Sequence, residues 1–593
     1  MLKKKWKYSV FDSIRICFIA APILTSVIFV QMIMSSIVPT LQILATAWFI
    51  NETVSIVSKG LSVWRALIPI ILVVLSIAYQ WLIEAVMRLV WLKLQNRLYE
   101  TYRVAVIEKR ARLKYFYIEN SDALDTMQRV SEDGDKKIIG ILKTLTGVFS
   151  LLVRILGILA LFLVAVWWAP LLMLIVSVPL LYLAKKSGEG SYKVNQMVTK
   201  YERKLKYLGE VLRNRDAVQE RTVYQYVDPL NDRWIAIQKA TGILKLRASL
   251  NWYIKVEMGS ILTALVSIFG IMVLLQPVLS GALSIGLFIS LVNANFGMIE
   301  AMSWEMRGYV EQLSKHKGYM GDLKKLFIMD EEHGITEDTA EPRSFKKISF
   351  KDVRFKYPNT DNYVLNGVSF DIECGNHYSF VGKNGMGKTT LIKLLVGLYD
   401  NYEGGIYIDG TEIRQLEPKV LKSYFSIVYQ DFAKYEITLR NNIELGRREE
   451  LDEGTIQDII KLVSLDTALD NMPHGLDNYL GRISNGGLDI SGGQWQKVAI
   501  ARCAIGKSPV RILDEPSAAL DPVMESRVYE DFSKISQDKT TLFISHRLGS
   551  TKLADEILVL DEGVIKQKGS HEQLMQSGGL YCEMFENQRS WYL

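Results

Sequence analysis

Three short segments carry residue types that could do phosphate chemistry. Gly382-Lys383-Asn384-Gly385-Met386-Gly387-Lys388-Thr389 follows the pattern G-x-x-x-x-G-K-[ST]. Its glycines let the backbone curl so that N–H groups face one phosphate. Lys388 brings positive charge to the β/γ position, and Thr389, followed by Thr390, offers a hydroxyl to magnesium. In Val510-Arg511-Ile512-Leu513-Asp514-Glu515-Pro516 two carboxylates are adjacent. Asp514 suits a magnesium ion, and Glu515 suits the polarising of an attacking water. Between these segments lies Ile490-Ser491-Gly492-Gly493-Gln494, a small polar run with two glycines.

Each segment needs an element to hold it. His377–Val381 reads as a buried strand, and helical periodicity begins at Leu391, Leu394 and Leu395, so the glycine loop opens a helix whose N-terminus favours an anion. Val510–Leu513 reads as a strand that delivers Asp514 and Glu515 to its C-terminal end, where ligands of open α/β sheets bind. Arg511 is a polar intrusion in that strand. The serine-glycine-glycine-glutamine run precedes a helix from about Trp495 to Ile505 and makes a second anion cradle. One nucleotide does not need two such cradles, so the second is expected to complete the site of another copy of the chain.

In this order and spacing, GKNGMGKT, ISGGQ and ILDEP resemble the ATP-binding domain of ABC transporters, with the Ser491–Gln494 run the specific part. The resemblance implies further roles. Tyr357, in Phe355-Lys356-Tyr357-Pro358, is similar to the aromatic that stacks on adenine. Gln430, in Ile427-Val428-Tyr429-Gln430-Asp431, is similar to the glutamine that senses magnesium and the membrane part. Ala519-Leu520-Asp521 resembles the loop crossing a dimer interface, and His546 the switch histidine at the γ-phosphate. The implied nucleotide site is then Tyr357, Gly382, Lys383, Asn384, Gly385, Met386, Gly387, Lys388, Thr389 and Thr390, completed by Ser491, Gly492, Gly493 and Gln494. Magnesium would be held at Thr389, Gln430 and Asp514, with Glu515, His546 and Gln430 serving catalysis. Ile490 stands where leucine is commoner in the family. No catalytic position is degenerate, which favours a homodimer.

The N-terminal half is of a different character. No Asp, Glu, Lys or Arg occurs in 16–51, 66–83, 155–184 or 258–299. About 20 apolar residues cross a bilayer, and a core helix rarely lacks charge on every face for so long. Trp167-Trp168-Ala169-Pro170 reads as a turn at the membrane surface, and Gln276, Pro277, Gly281 and Ser284 as another. Six spans result, near 15–50, 66–94, 139–166, 169–190, 245–276 and 284–308; Pro39, without a polar loop around it, is not expected to split the first. Lys3, Lys4, Lys5 and Lys7 precede the first span, and both long loops are basic, which puts the N-terminus and those loops in the cytoplasm. Residues 3–15, with Trp6, Tyr8 and Phe11, are expected as an amphipathic helix on the inner surface. The regions 95–138 and 191–244 read as polar helical extensions. In the resemblance they contain the coupling helices, around 115–125 and 215–227, with Glu119-Asn120-Ser121-Asp122 fitting the first.

The chain of 593 residues has 70 Lys plus Arg against 64 Asp plus Glu, too slight an excess to argue for nucleic acid. It is 23% charged yet has a mean hydropathy of +0.11, so charge and apolar residues must be segregated. Cysteines at 17, 374, 503 and 582 lack C-x-x-C spacing, and the six histidines are scattered, which excludes a disulfide scaffold or a zinc site. Disorder is excluded by 49% hydrophobic content.

The expected architecture is multidomain: an all-α transmembrane domain of six helices (1–328), a linker (329–342) and an α/β P-loop ATPase domain (343–593). The function expected is export of a peptide, drug or lipid by a dimer in the cytoplasmic (inner) membrane, driven by ATP and Mg²⁺. An ATP-gated channel and an importer on the same fold are the alternatives. With no N-terminal protease domain ahead of the first span, trimming of a leader peptide is not expected of this chain. Among polar residues in or near the spans, Glu84, Arg88, Arg154, Asn293, Asn295 and Glu300 could line an acidic cavity. Internal pairing of Glu84 or Glu300 with Arg88 or Arg154 is the favoured reading.

Overall fold

The computed structural model describes residues 6–168, 170–171, 198, 201–214, 217–332, 343–358, 360–447, 451–482, 486–514, 529–530, 532–533, 535–536, 538–545 and 548–590. The chain forms two compact units. One contains residues 1–111 and 121–330, the other 112–120 and 331–593.

The first unit is helical. Three helices among the described residues, Pro22–Lys59, Val63–Ala111 and Gly134–Ala165, are long and apolar enough to cross a membrane. In their most apolar stretches only 11%, 6% and 22% of residues are buried. Such faces would each lose roughly 25 cal/mol per Å² in water, so their solvent is lipid or another apolar surface. Shorter apolar helices run Ile268–Leu279 and Ile285–Met298. Most of the fourth span, 169–190, lies outside the described residues.

Two expectations change. The first span does not begin at 15: helix Asp12–Ala20 ends at Ala21, and a second helix starts at Pro22 and runs to Lys59. Proline at a helix start is well tolerated because its missing N–H is an orphan there anyway. Of the helix expected over 3–15, residues 12–15 are helical, as the start of 12–20, and 6–11 are not; 3–5 lie outside the described residues, and Pro39 stays within one helix. The fifth span and the polar extension before it are one helix, Val227–Leu279, of 53 residues.

Helix Ile285–Glu300 packs very closely on Pro22–Lys59. A Cβ at Gly286 would stand 2.2 Å from the Ala47 carbonyl oxygen, so only glycine permits the approach. Asn51 locks it, donating to Ser284 Oγ at 3.0 Å and accepting from the Gly286 N–H at 2.8 Å. Leu151, Ile155, Ile158, Phe162, Leu274 and Leu291 form the core beside this contact. Glu84 and Arg88 pair with each other at 2.9 Å, one helical turn apart. Arg154 pairs with Glu305 at 2.7 Å, a partner the sequence reading did not name. Asn293 is exposed and Asn295 buried; the Glu300 side chain lies outside the description.

The second unit is α/β. Its strands are β1 (Lys347–Phe355), β2 (Leu365–Glu373), β3 (His377–Val381), β4 (Glu403–Ile408), β5 (Thr411–Glu412), β6 (Phe425–Val428), β7 (Val510–Asp514), β8 (Thr540–Ile544), β9 (Glu556–Asp561) and β10 (Val564–Gly569). An antiparallel sheet has the order β2-β1-β4-β5. The larger sheet has the order β10-β9-β3-β8-β7-β6. In it β9, β3, β8, β7 and β6 are parallel and β10 is antiparallel. β7 and β8 are buried at every position, as parallel strands covered on both faces must be. One core cluster joins the two sheets through Phe350, Phe370, Phe380 and Leu395; a second gathers Ile456, Ile490, Trp495, Val498 and Leu513.

Candidate nucleotide site

The parallel register places four motif segments on one sheet edge. Phe380 of β3 pairs with Ile544 of β8, Asp514 of β7 with the same Ile544, and Val428 of β6 with Leu513. The glycine loop leaves the sheet after Val381, Ser545 after Ile544, and Tyr429-Gln430 after Val428, all beside Asp514. Strand C-termini in open parallel sheets form such a crevice because the connecting segments diverge there. Glu515, His546 and Ala519-Leu520-Asp521 lie outside the described residues.

Gly387 sits at φ +96°, where an added Cβ would stand 2.6 Å from Leu365 Cδ2. Helix Lys388–Leu395 begins immediately after it. Lys388 is only 4% exposed, and its ammonium donates to the carbonyls of Gly382 (2.8 Å) and Lys383 (3.2 Å). A buried cation needs such partners, and here they are the loop it closes. Thr389 donates its hydroxyl to Asp514 Oδ1 at 3.2 Å, and Asp514 is buried. Thr390 shares a 2.9 Å hydrogen bond with the Tyr357 hydroxyl. Gln430 is exposed past the end of β6. Burial, aided by Tyr115 and the Asp514 carboxylate, pushes the neighbouring Tyr429 phenol up to about 12.

A hydroxyl and a buried carboxylate 3.2 Å apart are hard oxygen donors, few in number. That fits magnesium, which takes one or two protein oxygens and fills its remaining positions with phosphate and water.

Ser491 and Gln494 form a reciprocal cap on helix Gly492–Ile505. Ser491 Oγ accepts from the Gln494 N–H at 3.2 Å, and Gln494 Oε1 accepts from the Ser491 N–H at 2.9 Å. Ser491 and Gly492 are exposed, and a Cβ on Gly492 would meet nothing within 4 Å. This helix packs through Trp495 and Val498 in the second core cluster, whereas the helix after the glycine loop packs through Leu391 and Leu394 in the first.

Two groups of contacts escaped sequence reading. Arg511 is 5% exposed in β7 and donates to the Ala504 carbonyl at 2.9 Å and to that of Ile535. It satisfies the C-terminal end of helix Gly492–Ile505, which explains a charge inside a buried strand. Lys393 and Tyr399 stand against Tyr357. Neither contact follows from a spacing, because each joins parts of the chain that only the fold brings together.

Residues 365–518 match the family model of the ABC transporter ATP-binding domain, described as "ABC transporter". The chain is 29% identical over 568 residues to the subtilin transport ATP-binding protein SpaT of Bacillus subtilis, covering 94% of this chain and 90% of that one. It is 38% identical over 244 residues to an ATP-dependent lipid A-core flippase of Saccharophagus degradans, covering 41% of each. A bacterial Atm1-family ABC exporter solved with ATP bound superposes with a TM-score of 0.77 over 95% of this chain and 98% of that chain, at 21% identity. Residues 365–518 are thus an ABC transporter ATP-binding domain, and nearly the whole chain is similar to an ABC transport protein. The chain has the exporter fold, a helical region followed by an α/β ATPase domain. Its activity is ATP hydrolysis coupled to export.

Proposed function

We propose that the transporter works as a homodimer in the cytoplasmic membrane and exports an amphipathic peptide. The observation that carries the site reading is the Thr389–Asp514 hydrogen bond at the edge where the motif segments converge. Tyr357 takes the adenine base, the loop Gly382–Gly387 and Lys388 take the phosphates, and Ser491–Gln494 of a second copy closes over the same nucleotide. Glu515 polarises the water, Gln430 and His546 align it with the γ-phosphate, and catalysis is positioning plus electrostatics. Thr389, Asp514 and Gln430 would hold magnesium, which when bound would neutralise phosphate charge. The ATPase unit and the N-terminus are cytoplasmic on the Lys/Arg bias.

A peptide cargo is favoured over a lipid. Relatives named for subtilin and nisin transport align with 94% and 84% of the chain, whereas the lipid A-core flippase of Saccharophagus degradans aligns with 41%.

Tandem fusions test the shared site. With Glu515→Gln in one copy and Ser491→Arg in the other, both lesions fall in one shared site and the second stays intact. With both in one copy, each shared site carries a lesion. Residual ATPase in the first fusion and none in the second is expected; the reverse order rejects shared sites. For cargo, ATPase activity in lipid nanodiscs should rise with an amphipathic peptide and not with added lipid alone.

A further inference from the structure

The helix Tyr115–Glu119 belongs to the ATPase unit, although the chain on either side of 112–120 belongs to the helical unit. Glu119 reaches Lys393, 274 residues later, with Nζ donating to Oε1 at 2.8 Å. The Tyr399 hydroxyl donates to the other carboxylate oxygen. The Lys393 ammonium lies 5.3 Å from the centre of the Tyr115 ring and 5.7 Å from that of Tyr357. Tyr399 meets both rings edge-on, each at 5.7 Å. The Lys393 side chain is 19% exposed and that of Glu119 36%.

From this geometry we propose that Lys393, held by Glu119, is a positioning residue for Tyr357, fixing the ring on which the nucleotide base stacks. The proposal rests on the reading of Tyr357 as the base platform. Two anchors tie that ring to the helix after the glycine loop: Thr390 through its hydroxyl and Lys393 through its charge. They lie three positions apart on one helix face. The same helix holds Lys388 and Thr389 at its start, so phosphate grip and base platform share one rigid element.

A lysine stem is flexible and its ammonium strongly hydrated. Unpaired, it would turn to water and leave the ring face. Glu119 prevents this by offering a carboxylate on the protein side. Burial opposes ionisation of Glu119, but bonds from Lys393, Tyr399 and Tyr115 outweigh it and hold the carboxyl below its ordinary value. A desolvated cation over an aromatic ring is attracted to it, and the attraction orients the ring. Glu119 thus makes base affinity depend on a segment outside residues 365–518, the part matched as the ATP-binding domain.

The test uses the full-length chain in lipid nanodiscs. Steady-state ATPase gives KM and kcat, and inorganic tripolyphosphate, which has no base, serves as competitive inhibitor. Lys393→Met and Glu119→Gln should each raise KM for ATP about three- to ten-fold. The tripolyphosphate inhibition constant should stay unchanged and kcat remain within about two-fold. Lys393→Arg should keep KM near the parent value, and the Lys393→Met/Glu119→Gln double variant should be no worse than either single one. Tyr357→Ala should show the same split more strongly. If Tyr357→Ala shows it and Lys393→Met does not, the proposal is overturned while the reading of Tyr357 stands. If Tyr357→Ala leaves KM unchanged, both fall. Equal weakening of ATP and tripolyphosphate by Lys393→Met would make Lys393 a general support of the loop and would also overturn the proposal.

Discussion

Thr389 donates its hydroxyl to Asp514 across 3.2 Å, joining two residues 125 positions apart. The bond spans the gap between the helix after β3 and the end of β7, two strands separated by β8. It holds a buried carboxylate at the edge where phosphate oxygens would arrive. The magnesium reading rests on this pair.

Asp514→Asn keeps the shape and the bond from Thr389 but removes the charge. ATPase activity should fall by about two orders of magnitude or more, as losses of one electrostatic group in a phosphoryl-transfer site do. Calorimetry with and without magnesium should show that the metal no longer strengthens nucleotide binding. An unchanged magnesium dependence would remove Asp514 from the metal site.

Lys388→Ala should abolish tight ATP binding. It removes the ammonium proposed to face the phosphates and leaves the Gly382 and Lys383 carbonyls without this donor. The far-ultraviolet circular dichroism should stay that of the parent. Normal turnover in this variant would contradict the site.

Glu515→Gln keeps hydrogen bonding and loses the charge that, in the proposed role, polarises water. ATP binding should survive while turnover falls by about two orders of magnitude or more. A nucleotide-bound closed dimer should accumulate and be visible by crosslinking. Retained turnover with weakened binding would reverse the role assigned.

Arg511→Met should destabilise the ATPase unit without touching the nucleotide. It leaves the Ala504 and Ile535 carbonyls without the Arg511 donors. The loss of charge-assisted bonds is about 2 kcal/mol, lowering Tm by about 4–8 °C for a unit of this size. An unchanged Tm would show that other donors replace it.

His571 supplies a pH dependence. Burial, with Lys552 nearby, lowers its proton affinity in the fold, and its Nδ1 shares a 2.8 Å bond with the Tyr581 hydroxyl. The unfolded chain therefore binds the proton more readily. The stability is present above the ordinary histidine value, about 6.5, and is lost as pH falls towards the lower folded value. Hydrogen-exchange protection factors in helix Leu580–Arg589 should fall between pH 7.5 and 5.5 in the parent and less so in His571→Gln. An equal fall in both would exclude this histidine.

Sequence alone determined what depends on neighbours in the chain. The glycine loop, its lysine and threonine, and the helix that follows are legible because turn chemistry and helical periodicity act over a few residues. The long uncharged stretches announce membrane helices for the same reason, since the cost of charge in lipid is paid residue by residue. Tertiary structure decided which distant residues meet. Nothing in the spacing says that Thr389 faces Asp514, that Arg154 chooses Glu305, or that Arg511 closes the end of helix Gly492–Ile505. Strand order sets the first of these and helix packing the second. The Glu119–Lys393 pair belongs to the same class, because a segment leaves one compact unit to pack within the other. The break at Pro22 was not read from sequence, since proline is compatible with either the start of a helix or an interior kink; in the fold a helix starts at Pro22 while Pro39 lies inside it.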